Sequence, residues 1–575
     1  MSAPAPERSY VRKVIRPEMT VRQIAADFPS SRAVFRSYGE PDDRPGYFGH
    51  LEPLTHFARR RGLALETLLN ELMEVTDVPI ELHGPLAEQV HRPFILAALA
   101  VTLSLGAGWG GWLLWRIGVS QDFGAVPAAQ VIAHGEAQLW GFIVPFVMGI
   151  SLRTVLQAIA RHPRGAAVCR GLLVSLFAGV VGSFLWFLAP SSAPMLGVIS
   201  ALLLLLTAVA YWMIQFLVLG SKVFATWSRA VILSGFWLVV WASVTLTLRI
   251  AAADEGPGVY LRAHRILIIE LAVFGFAMNS IYGFGQMLLP GLLRLGQPKH
   301  LALELALWLH NLGTATICLT TAQVWPDSLA VFGSALIAAG ALTYACGQKA
   351  FLGRARQSDR AEQGQPLLDI YVPLAFFWLI VSLLMLTAGH AQQASSGVVM
   401  THAYVGALRH ALTVGFMTTL ILGVGQRMLP VLEHKVLALP GLVLPILVLI
   451  GIGNLIRVSS ELGAMAWPTA HRVMPVSALV EWMALALFTV NTVATIRFID
   501  PLLVSDRVTG MSSLAVLLAE RPWIEDWLIG SGCNYLTRVR CVPHELTLAG
   551  FAKSDDRAPD HFVAEINNVL LLNDR

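Results

Sequence analysis

Charge is scarce in this chain. Only 14% of its 575 residues are Asp, Glu, Lys or Arg, where a soluble domain carries about 25%. Cysteine is scarce too: there are five, too few and too scattered for a disulfide-stapled secreted scaffold. The formal net charge of +4 is too small to suggest a nucleic-acid partner. No Walker loop, Rossmann glycine pattern, Gly-x-Ser-x-Gly elbow or HExxH motif occurs. The first ninety residues are charged and mixed, unlike a signal peptide. Collagen, coiled coil and wholesale disorder are excluded by composition. What the chain has in abundance is apolar sequence: 55% of it is hydrophobic and the mean hydropathy is +0.62. Lipid is the expected solvent.

A membrane-crossing helix needs about 20 mostly apolar residues. That rule predicts twelve, near 94–115, 130–152, 171–189, 195–218, 230–248, 264–288, 302–322, 328–346, 370–388, 401–424, 440–456 and 474–495. Fourteen Lys and Arg residues fall in one set of short loops. Only Arg116, Arg249, Arg262, Arg265, Arg457 and Arg472 fall in the other. By the positive-inside rule both termini face the cytoplasm of a bacterial-type inner membrane. Three domains are expected: a small helical one over 1–85, a twelve-helix membrane domain over 90–500, and another small helical one over 508–575. The two ends read as copies. A shift of 493 pairs Val21 with Leu514, Ile24 with Leu517, Pro29 with Pro522 and Gly39 with Gly532; one further residue pairs His50 with His544 and Phe57-Ala58 with Phe551-Ala552.

The second, sixth and tenth spans share a frame. It reads Glu136-Ala-Gln-Leu-Trp-Gly141-Phe142, then Glu270-Leu-Ala-Val-Phe-Gly275-Phe276, then His410-Ala-Leu-Thr-Val-Gly415-Phe416, with Gly149, Gly283 and Gly423 following. The second and third copies both run on to Gln-x-x-Leu-Pro, at Gln286 to Pro290 and Gln426 to Pro430. The copies lie four helices apart, so the membrane domain is expected to be three four-helix units around a pseudo-three-fold axis. The glycines are most simply read as close-packing points between helices. The ionisable residues differ, because a charge inside the membrane costs about 2.5–3.5 kcal/mol on insertion scales and is by default functional. Glu136, Glu270 and His410 sit at one matched depth, roughly 12–15 Å in at 1.5 Å per residue, and are expected to converge on one axis.

Histidines gather on the same side: His134, His264 and His402 near the outer ends of the second, sixth and tenth spans, with His310 on the seventh. Imidazole is the usual ligand for haem iron and for copper, and carboxylate is not a good copper ligand. His402 and His410 are eight residues apart, about 12 Å along the axis and 80° around it, so they cannot share one metal. More than one centre is implied, or one centre beside a proton-handling group. Cofactor candidates are therefore His134, His264, His402 and His410, with His310, Glu136 and Glu270 as further metal-site residues. In the C-terminal piece Cys533, Cys541 and His544 form a weaker metal or redox group, its C-x7-C-x2-H spacing unlike a zinc signature. Cys169, Cys318 and Cys346 read as small hydrophobes. Glu481 and Arg249 read as snorkellers or a buried pair.

The stretch His134-Gly-Glu136-Ala-Gln-Leu-Trp-Gly-Phe resembles the His-x-His-Glu-x-x-x-Gly-Phe of the NnrS family, and His410-Ala-Leu-Thr-Val-Gly415 resembles that family's His-Ala-Leu-Thr-x-Gly. The resemblance covers roughly 90–500. It implies a haem- and copper-containing inner-membrane protein of the nitric oxide response in denitrification or nitrosative stress, with His134 and His410 as ligands and nitric oxide or a related small molecule bound. Glu136 stands where the family has its second histidine. The three-by-four plan also resembles the catalytic subunit of haem–copper oxidases and nitric oxide reductases, whose paired histidines on the tenth and seventh helices are lacking here. Met19-Thr-Val-Arg-Gln-Ile-Ala and Val34-Phe-Arg-Ser-Tyr-Gly39 are similar to the small domain at the front of ScdA-like iron–sulfur repair proteins; the terminal pieces read as cytoplasmic docking or sensing modules. The competing classes are a proton- or metal-coupled transporter using the intramembrane Glu and His residues, and a diverged oxidase-type catalytic subunit.

Overall fold

The computed structural model describes residues 19–38, 65–76, 89–156, 163–263, 267–292, 299–348, 367–433, 437–497, 514–521, 523–533 and 546–573 apart from 157, 158 and 556, with isolated positions at 15, 54, 57, 58, 159, 508, 512, 536 and 542. Helix dominates, and no strand occurs among the described residues. Twelve helices are long and apolar enough to cross a membrane. They are His91–Ser120, Ala128–Arg153, Arg164–Leu188, Pro194–Lys222, Thr226–Glu255, Leu271–Pro290, His300–Thr321, Leu329–Gly347, Ile370–Ser396, His402–Leu432, Pro440–Ala464 and Pro468–Arg497, spans 1 to 12 in order. Large apolar side chains on the outer spans, among them Val174, Leu206, Leu217, Phe332, Leu384 and Leu479, are exposed. So broad an apolar surface is stable only in lipid. The chain is a multi-pass membrane protein.

Spans 2, 6 and 10 are the most enclosed, with 72%, 83% and 61% of their apolar stretches buried against 33–56% for the other nine. The outer spans follow one another in arcs. Spans 3, 4 and 5 pack in sequence between spans 2 and 6; spans 7, 8 and 9 between spans 6 and 10; spans 11, 12 and 1 between spans 10 and 2. The glycines explain how the inner spans sit so close. A Cβ on Gly141 would meet Val101 of span 1 at 2.4 Å; on Gly275, Trp237 of span 5 at 3.0 Å; on Gly415, Trp378 of span 9 at 2.6 Å. Two turns on, Gly149 faces Phe94, Gly283 faces Val231 and Gly423 faces Tyr371, on the same three partners. The close-packing reading of these glycines holds.

Each inner span changes winding at its Gly-Phe pair. Leu139–Ile143, Leu271–Ala277 and Ala411–Thr418 are π-helical, which inserts one residue into the α-helix and frees backbone carbonyls. Nearby side chains take these up: the Thr418 and Thr419 hydroxyls donate to Thr413 and Val414 at 2.9 and 3.1 Å, and the Asn279 amide donates to Gly275 at 2.7 Å. In span 2 the wide turn directly precedes Pro145, whose ring would otherwise press on the carbonyl four residues back.

The terminal pieces have their own apolar cores. Helix Val21–Asp27 and helix Leu514–Glu520 stand at the positions that the 493-residue shift equates. The Leu54 N–H donates to Met19 at 3.1 Å, and the Leu548 N–H to Ser512 at 2.8 Å, again at equated positions. Helices Leu65–Thr76 and Pro559–Asn573 also correspond.

Where span 1 begins and span 10 ends, Glu433 is gripped by His91 at 2.8 Å and by two nitrogens of Arg92 at 2.6 and 2.8 Å. Burial alone would raise the Glu433 carboxyl, but these hydrogen bonds and charges outweigh it and hold it down at about 2 instead of 4.5. A depressed carboxyl contributes stability that is complete above its unfolded pKa and lost as pH falls through the folded one. Thermal stability should therefore decline between about pH 4.5 and about pH 2, and Glu433→Gln should flatten that decline in melting curves while lowering stability at neutral pH. At the other contact level, Gly283→Val should destabilise by about 1–3 kcal/mol through overpacking, while Gly171→Ala, inside a helix with nothing within 4 Å of a new Cβ, should leave the melting temperature unchanged or slightly raised.

Candidate functional site

Glu136, Glu270 and His410 were expected to meet on one axis. They do not; each is held by a different neighbour. Glu136 is 3% exposed, and its Oε2 accepts from Arg249 Nη2 at 3.0 Å while the Tyr260 hydroxyl donates to Oε1. The Arg249 guanidinium lies in an aromatic box, its Cζ 3.8 Å from the Trp186 ring centre, 4.4 Å from Phe187 and 4.2 Å from Tyr260. Rings can face a cation where no further acceptor is at hand. Glu270 is buried beside Thr321 and Cys318 of span 7, and its Oε2 has no hydrogen-bond partner among the described residues. Arg409 of span 10 lies within its electrostatic reach. His410 turns the other way, towards span 11. The reason is electrostatic: a charge out of water must find its counterpart within the bundle, and the nearest one fixes the direction.

The sequence also placed Arg249 and Arg457 in loops. The structure corrects this, because span 5 continues to Glu255 and span 11 to Ala464. Both arginines are therefore inside helices, and both are buried. Arg249 pairs with Glu136, not with Glu481. Arg457 pairs with Glu461 one turn on, Nη2 to Oε1 at 2.8 Å. Glu461 was missed altogether, although Arg-x-x-x-Glu at the end of an apolar run has the spacing of a helical ion pair.

His134 and His410 are brought to the same sector, where spans 2 and 10 meet the arc of spans 11, 12 and 1. His134 lies within electrostatic reach of His410 and Arg457. Their ring nitrogens are in matched states. His134 Nδ1 lies 2.9 Å from the Gly106 carbonyl, and His410 Nδ1 lies 2.9 Å from the Gly406 carbonyl. A carbonyl oxygen only accepts, so each Nδ1 carries a proton and Nε2 is the nitrogen that could ligate a metal. That is the tautomer an iron-ligating imidazole uses. Glu481, within electrostatic reach of His410, has a buried Oε1 with no hydrogen-bond partner among the described residues, and so do both side-chain atoms of Asn454, which lies against Gly415 further along span 10.

The remaining candidates lie apart. His402 is exposed at the start of span 10 and meets the Phe123 ring edge-on, 4.9 Å between centres. His310 is buried in span 7, its Nε2 2.8 Å from the Phe274 carbonyl, so its free nitrogen is Nδ1. Cys533 is buried in the C-terminal core 3.7 Å from Ser531, and burial pushes its thiol up, as suits a packed cysteine. His264, Cys541 and His544 lie outside the described residues. Among the described residues no three His, Cys, Asp or Glu side chains group as a metal site.

Removing one member of a buried pair strands the other charge. Arg249→Met should destabilise by about 3–5 kcal/mol. The double variant Glu136→Gln/Arg249→Met should recover part of that loss, as read from melting in detergent.

No protein-family model matches the chain, and no curated protein matches it.

Proposed function

We propose that this chain is an NnrS-type inner-membrane protein that holds haem through His134 and His410 and acts in nitric oxide response or tolerance. The observation that carries the reading is the shared state of the two rings, each with Nδ1 committed to a glycine carbonyl and Nε2 left to ligate. Haem iron would supply the centre at which nitric oxide binds in place of one of the two imidazoles. The twelve spans fall under this reading into three four-helix units about an axis lined by spans 2, 6 and 10. Support comes from the equivalent glycine contacts and from the π-helical segment at the same frame in each. The termini lie in the cytoplasm, and the two end domains are duplicated docking modules; their corresponding helices and backbone hydrogen bonds support this.

A second reading, a proton-coupled transporter, draws on Glu270 and Glu481, whose buried oxygens lack partners among the described residues. An absorption spectrum separates the two. The purified protein should show a Soret band; its absence would favour the transporter. Within the first reading, His134→Ala and His410→Ala should each lower haem content severalfold, and His300→Ala, exposed at the start of span 7, should not. Equal retention in all three would make the histidines packing residues.

A further inference from the structure

The Glu461 carboxylate is the feature that the reading above leaves unused. Its Oε2 stands 3.2 Å from His410 Nδ1, and its Oε1 accepts from Arg457 Nη2 at 2.8 Å. The side chain is 3% exposed. Two further details show that the approach is built. Gly406, one turn before His410, leaves room for the carboxylate: a Cβ there would come within 2.4 Å of Oε1. Arg457, on the same helix as Glu461, balances the charge, so the pair enters the membrane without net charge. The geometry points to Glu461 as the positioning residue of His410, the charge that faces Nδ1, holds the ring in place and makes it a stronger donor at Nε2. This deepens the proposed haem reading and rests on it.

A carboxylate charge beside an imidazole N–H that already donates to a carbonyl adds electron density to the ring, and the far nitrogen becomes more basic. A more basic axial ligand favours ferric over ferrous iron and lowers the midpoint potential. Glu461 is thus a tuning group, not a catalytic residue. His402 and Glu481 also lie within its electrostatic reach, and neither touches His410 as Glu461 does among the contacts described.

The experiment uses the full-length protein purified with its own haem, with midpoint potential and absorption spectrum as readouts. Glu461→Gln should keep the parent's haem content while raising the potential and shifting the bands, and Glu461→Asp should fall between the two. Gly406→Ala should move the potential in the same direction, because it displaces the carboxylate without removing its charge; it also serves if Glu461→Gln does not accumulate. Glu304→Gln, which breaks the separate Arg229–Glu304 pair, should change neither readout. Unchanged potential in Glu461→Gln and Gly406→Ala with haem retained overturns the inference and leaves the haem reading standing. A parent protein without a Soret band, or full haem retention in His410→Ala, overturns the reading first and the inference with it.

Discussion

Lipid offers no water to a polar group, and this single constraint orders the structure. A charge carried into the bundle is costly unless it meets its counterpart there, and both buried arginines of the candidate site do. Arg249 finds Glu136 and three aromatic rings. Arg457 finds Glu461, and Glu461 then reaches His410. Neutral pairs of this kind add little net stability, because desolvation cancels most of the attraction, but they fix geometry strongly once made. They decide which way each helix turns its polar face. The directions of Glu136 and His410, and so the location of the candidate site, follow from where Arg249 and Arg457 stand.

Apolar run length made the twelve spans legible, because a helix must cross a slab of fixed thickness whatever its partners are. The Gly-Phe frame was legible for a similar reason: close helix approach demands glycine at fixed intervals, and Gly141, Gly275 and Gly415 answer it identically. What the pattern could not supply was rotation. Equal spacing along spans 2, 6 and 10 suggested that Glu136, Glu270 and His410 would converge, but their facing depends on partners on other spans, such as Arg249 and Glu461. Span ends were obscured for a related cause. A hydropathy rule stops at an arginine, so Arg249 and Arg457 fell outside their helices when each is neutralised within them.

The π-helical segments connect the packing to the site. Each lies just below its ionisable residue, at the level where the glycines press against spans 1, 5 and 9. The extra residue rotates the upper part of an inner span against the lower part by about 100° relative to a regular α-helix. The lower part can then keep its glycine face against the preceding span while the upper part presents Glu136 or His410 to a different neighbour. One helix serves two orientations.

The packing also sets an order of assembly. Each inner span rests on the span made immediately before it, so the pairs 1–2, 5–6 and 9–10 can close as hairpins while the chain is still being synthesised. One seam cannot. Spans 1 and 2 meet spans 10 to 12 through contacts that cross most of the sequence, His91 with Glu433 and Leu103 with Trp482. His134 stands on the early side of that seam; His410, Arg457 and Glu461 stand on the late side. The site is thus the last part of the membrane bundle to exist, and whatever occupies it must enter a chain whose other two sectors have already formed.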